Sequence, residues 1–119
     1  MPFTAAIVEQ LPEGVPGVTG SRGQTVTFHV KVTNRSARPF RFGNPCPNYV
    51  EGSGSGQPTE VHVLNCRPVG AIAAGASVVF EMRIRVPDSA PIGRDALTWA
   101  LAPATYEPPS ASGVLLVEG

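Results

Sequence analysis

Two stretches of strict alternation constrain this chain more than anything else in it. In QTVTFHVKVTN, Val26, Phe28, Val30 and Val32 alternate with Thr25, Thr27, His29, Lys31 and Thr33. In ASVVFEMRIRVP, Val78, Phe80, Met82, Ile84 and Val86 face one way, and Glu81, Arg83 and Arg85 face the other. Successive side chains of a β-strand point to opposite faces, so period two marks a strand with one buried face. A helix would scatter these apolar residues around its circumference. Each stretch therefore needs a sheet, and the sheet needs something apolar to cover it.

The rest of the chain supplies weaker strands. FTAAIVE, RPFRF, EVHVLNC, DALTWALA and GVLLVE are short and rich in β-branched or aromatic residues. In DALTWALA, Leu97, Trp99 and Leu101 share a face, which makes Trp99 a core residue rather than a sugar platform. Pro87 ends the second strong strand, because proline cannot donate to a ladder. VGAIAAGASV has the alanines of a helix, but Gly70 and Gly75 interrupt it, and it reads as a turn. Thirteen glycines and thirteen prolines punctuate the whole chain. About seven short strands, no helix and frequent turn signals predict an all-β, immunoglobulin-like antiparallel β-sandwich occupying residues 1–119 as a single domain. A closed barrel is the competing architecture. The expected core includes Val26, Phe28, Val30, Val32, Phe80, Met82, Ile84, Leu97 and Trp99.

Charge excludes some partners. Nine basic residues balance nine acidic ones, so no whole-chain field draws nucleic acid or an anionic membrane. Arg35, Arg38 and Arg41 interleave with Phe40 and Phe42, but the phenylalanines suit a core face and the arginines a solvated one. No apolar run reaches the roughly 18–20 residues that span a bilayer. The opening MPFTAAIVEQLPEG lacks a basic segment followed by an apolar core, so it does not read as a signal peptide. The expectation is no nucleic-acid partner and no direct membrane insertion.

The two cysteines, Cys46 and Cys66, flank a glycine-serine run in GNPCPNYVEGSGSGQPTEVHVLNCRP. Structural zinc sites use four ligands, often in Cys-x2-Cys pairs, and here each cysteine stands alone. The histidines, His29 and His62, fall on outward strand faces. A redox pair wants Cys-x-x-Cys beside a helix. The reading that remains foremost is a disulfide from Cys46 to Cys66, which would contribute on the order of 3 kcal/mol by the chain-entropy model. Two unpaired thiols in a reducing compartment and a Cys2His2 metal site are the other readings. A disulfide would place the protein at the cell exterior or surface. Asn44, Pro45, Pro47, Asn48 and Tyr49 lie in the stapled segment. Prolines stiffen it and Tyr49 offers an amphipathic ring, features of recognition loops. Tyr49 serves equally well as a cover for the core edge.

Catalysis finds little support. No Gly-x-Ser-x-Gly turn and no Gly-x-x-x-x-Gly-Lys loop occurs, and Lys31, the one lysine, sits within a strand. Asp88 and Asp95 lie in a turn-rich connector, where aspartate caps turns. No cofactor and no metal is expected.

GQTVTFHVKVTNRSARPFRF followed by VGAIAAGASVVFEMRIRVPDSAPIGRDALTWAL resembles a recurrent bacterial extracellular sandwich pattern, over roughly Gly23 to Leu101. A strand ending in Thr-Asn leads to a tight turn, and a later long strand ends in Val-Pro. Bacterial cell-adhesion-related domains and accessory domains of secreted glycosidases are similar, as are domains of the intracellular proteinase inhibitor family. The cysteine pair is not part of their pattern. The resemblance implies a non-enzymatic module for binding or spacing, monomeric, within a larger protein, with a protein or glycan partner. The alternatives are an inhibitor-like protein that offers a loop to a protease and, third, a small metal-binding protein.

Overall fold

The computed structural model describes residues 3–41, 48–53, 59–62, 71–102 and 110–119. It is an all-β, immunoglobulin-like sandwich. The strands are β1 (Phe3–Ile7), β2 (Gly17–Ser21), β3 (Thr25–Asn34), β4 (Phe40–Arg41), β5 (Asn48–Ser53), β6 (Thr59–His62), β7 (Ala71–Ile72), β8 (Ser77–Arg85), β9 (Gly93–Ala102) and β10 (Ser110–Glu118). One sheet has the order β1-β3-β8 and the other the order β2-β10-β9-β5-β6, with β4 and β7 forming a separate two-stranded ribbon.

The two alternating stretches pair with each other in the first sheet, β3 at its centre and β8 at its edge. β3 and β8 pair antiparallel, with Val26 opposite Ile84, Phe28 opposite Met82 and Val30 opposite Phe80. All nine residues expected in the core are buried. The second sheet adds Leu97, Trp99, Leu115 and Val117 from its inner face. Trp99 meets the first sheet directly. Its ring lies 6.1 Å from that of Phe80, and its indole N–H donates to Met82 Sδ at 3.3 Å. A buried indole donor thus has a partner, as it must in an apolar core.

The strand at β2 has no signal in the sequence, because GVTGS has two glycines and one valine. Its glycines are needed for approach rather than for propensity. β2 pairs with β10 in parallel, the exception in an otherwise antiparallel sandwich. A Cβ on Gly17 would lie 2.2 Å from the carbonyl oxygen of Val114. A Cβ on Gly20 would lie 2.6 Å from Val26 Cγ1. Side chains at either position would hold the strand away from its neighbours.

Ten strands are present among the described residues, against about seven expected. β5 lies where a loop was expected, and two residues of the expected turn at 69–78 form β7. The short pieces gain their ladders from stronger neighbours, which local sequence does not report.

Asn34 closes the end of β3. It is fully buried. Its Nδ2 donates to Arg38 O at 2.9 Å and to Ile72 O at 3.0 Å. Its Oδ1 accepts from Ser36 N at 3.0 Å and Ser36 Oγ at 2.7 Å. One side chain therefore shapes the turn after β3 and ties it to β7.

Candidate functional site

The chain changes sheets between β1 and β2, and that change leaves a groove. β1 follows β3 from Phe3 opposite Asn34 to Ile7 opposite Val30. The last rung is Val8 N–H to His29 O, at 2.9 Å. The backbone then turns away. Leu11 N–H donates to Val15 O and Gly14 N–H to Leu11 O, each at 2.8 Å, which folds residues 11–15 into a tight turn. Gly14 takes φ +85°, a conformation that favours glycine. Glu13 pairs with Arg94 and fixes this turn to the start of β9. Beyond it, β2 runs beside β10 in the second sheet.

β3 keeps its partner β8 but has lost β1 over Thr25–Thr27. The groove lies between this stretch and β2. Leu11, Val18 and Val26 contribute its apolar surface, and Gln10, Thr19, Gln24, Thr25 and Thr27 its polar surface. Glu9 is the charged lining residue.

Side chains cap both ends of the exposed edges. At one end, Glu9 Oε1 accepts from His29 N–H at 2.7 Å, and Oε2 lies 2.5 Å from His29 Nδ1. At the other, Gln24 Oε1 accepts from Ser21 N–H at 2.9 Å. Unpaired strand edges invite association, and natural sheets commonly blunt them. Here the ends are blunted and the middle is left open. No motif announced this site. The signal available in the sequence was the row of threonines at alternate positions of β3, which read only as a polar face.

The sequence-predicted site residues fall elsewhere. Asn44, Pro45, Cys46, Pro47 and Cys66 lie outside the described residues. Asn48 and Tyr49 begin β5 rather than a loop. Asn48 stands opposite Ala102 and His62, and Tyr49 opposite Leu101 and Val61, so both have a strand on each side. The chain enters the sheet earlier than its proline and glycine content indicated, because β9 and β6 supply ladders on both sides. Arg35 and Arg38 are exposed, as expected of a solvated face. His29 lies on an outer face with Glu9 as partner. Among the described residues no three His, Cys, Asp or Glu side chains gather in a way that could hold a metal ion. Asp88 sits in the turn after β8, where its carboxylate pairs with Arg85 at 3.1 Å.

No family model matches the sequence, and no curated protein matches it. Solved structures do share the fold. The CARDB domain of a Pyrococcus furiosus protein, determined in solution, superposes with a TM-score of 0.54 at 11% identity, covering 98% of this chain and 94% of that one. The sporulation control protein Spo0M of Bacillus subtilis gives 0.53 at 14% identity, over 98% of this chain and 49% of Spo0M. The alkylpurine DNA glycosylase AlkC of Pseudomonas fluorescens gives 0.53 at 11% identity, over 97% of this chain and 30% of AlkC. The chain thus spans less than half of those two larger proteins and nearly the whole of the CARDB domain. At these identities the likeness establishes the fold.

Proposed function

We propose that this chain is a non-catalytic, immunoglobulin-like module that binds a protein or glycan partner, or spaces other domains, outside the cell. The observation that carries the reading is its correspondence along nearly full length with a CARDB domain, combined with a groove whose edges are open between two caps. It acts as one domain of a larger extracellular or surface protein. Cys46 and Cys66 form its disulfide, and the segment from Asn44 to Tyr49 is a second candidate contact surface.

Three measurements test this. The purified protein, offered to arrays of glycans and of extracellular proteins, should retain a partner. Assays with esters, peptides, glycosides and phosphate esters should give background rates, and turnover abolished by changing one polar residue would overturn the non-catalytic reading. Intact mass after alkylation of the unreduced protein should show no labelled thiol. Two labels would remove the disulfide and, with it, the extracellular argument.

A further inference from the structure

We propose that the groove between β2 and β3 receives an extended, neutral-to-basic peptide segment of a partner, which adds to β3 as a strand where β1 departs. This deepens the binding-module reading and rests on it.

Backbone direction gives the first argument. In a strand, successive residues aim their N–H and C=O groups at opposite neighbours. Along β3, Gln24 C=O accepts from Val86 N–H at 2.8 Å, and Asn34 N–H donates to Ala76 O at 2.9 Å. Even-numbered residues therefore address β8. His29 C=O accepts from Val8, so odd-numbered residues address the β1 side. Thr25 and Thr27 consequently aim N–H and C=O into the space that β1 has left. Along β2 the same parity holds. Pro16 C=O accepts from Val114 N–H, toward β10, while Gly17 N–H turns away and donates to Glu9 O, each at 2.9 Å. Thr19 aims its main-chain groups away from β10 as well. Thr19, Thr25 and Thr27 have no hydrogen-bond partner for these groups among the described residues. They are the lining of one groove.

The occupant follows from what these groups accept. Paired donors and acceptors two residues apart match the main chain of an extended peptide, as in strand addition to a sheet edge. The open stretch between the Gln24 and Glu9 caps has room for about four residues at the ~3.3 Å rise of a strand. A strand added beside β3 would turn alternate side chains inward, toward the rims of Leu11, Val18 and Val26, which are themselves buried. The others would stand beside Thr25 and Thr27. Glu9 is the charged residue of the lining, so a lysine or arginine at that end is complemented and an acidic residue repelled. Glycans lack the regular alternation of amide donor and carbonyl acceptor that this edge presents.

The test uses the intact protein and the capped peptide acetyl-Lys-Thr-Val-Thr-Val-Lys-amide, with a version carrying Glu in place of Lys as control. Amide hydrogen exchange is read residue by residue. In the free protein, the Thr25 and Thr27 amides should exchange much faster than those of Val26 and Phe28. Added peptide should slow them and shift the amide resonances of Thr19, Thr25 and Thr27, with the Glu version binding more weakly. Thr27→Pro removes one donor on the open side and leaves the β8 ladder intact. It should weaken binding at least about tenfold. Continued protection of Val26 and Phe28 in that variant shows that it folds. Protected Thr25 and Thr27 amides in the free protein would overturn the proposal, as would no shift at the solubility limit of the lysine peptide. A dimer that Thr27→Pro dissociates would also overturn it, by assigning the edge to a second copy. If Thr27→Pro still binds a partner found on the arrays, the module reading stands and the groove is not its site.

Discussion

One carboxylate, Glu9, holds His29 at two points, its backbone N–H at 2.7 Å and its ring Nδ1 at 2.5 Å. The pair marks the place where the chain leaves one sheet for the other. Glu9 C=O also accepts from Gly17 N–H, at 2.9 Å, so a single residue fastens the departing strand to both sheets.

Glu9→Ala should therefore destabilise the fold by about 1 kcal/mol. The figure is modest because the two side chains retain 39% and 31% of their exposure and water replaces part of what is lost. The His29 amide should exchange faster in the variant. Urea unfolding monitored by Trp99 fluorescence measures the first effect. An unchanged midpoint and unchanged His29 exchange would show that the cap has no consequence.

Asn34 is a stronger anchor because it is fully buried and satisfied at both ends of its amide. Asn34→Ala should cost roughly 2–4 kcal/mol, from buried groups left without partners. Asn34→Asp should not rescue it, since a carboxylate oxygen would face the carbonyls of Arg38 and Ile72. Equilibrium denaturation of the two variants decides this. Full stability of the aspartate form would refute the direction of these hydrogen bonds.

Gly17→Ala should be costly in a way that propensity does not foresee. Its Cβ would meet the main chain of Val114, which cannot rotate aside. The parallel β2–β10 pairing should open, with a loss of about 1–3 kcal/mol and faster exchange of β10 amides. Gly14→Ala should leave that pairing intact and act only through its turn, because no atom lies near its Cβ and the strain there comes from φ.

Phe28→Ala and Phe80→Ala should each cost about 3–5 kcal/mol, since both side chains are fully buried. A loss below roughly 1 kcal/mol would show that the face assigned to the core is wrong. Trp99→Phe should cost less, but it leaves Met82 Sδ without its indole donor and should blunt the near-ultraviolet circular dichroism of the core.

The sequence by itself determined the class of fold and the part of its core that β3, β8 and β9 supply. Period two in β3 and β8 is an intrinsic signal, because each residue's face follows from its neighbours in sequence. Phe28, Met82 and Trp99 were legible for that reason. Tertiary structure alone decided where the chain changes sheets. β2 exists because β10 offers it a ladder and because Gly17 and Gly20 let the backbones close, a fact about distant atoms. β5 likewise exists between β9 and β6, although its composition reads as a loop. The groove had no motif because its open edge is made of main-chain groups. Threonines 25 and 27 look like any solvated strand face until the departure of β1 shows which of their backbone groups have no neighbour. Hydrogen-bond direction depends on pairing, and pairing is settled only when the whole sandwich has closed.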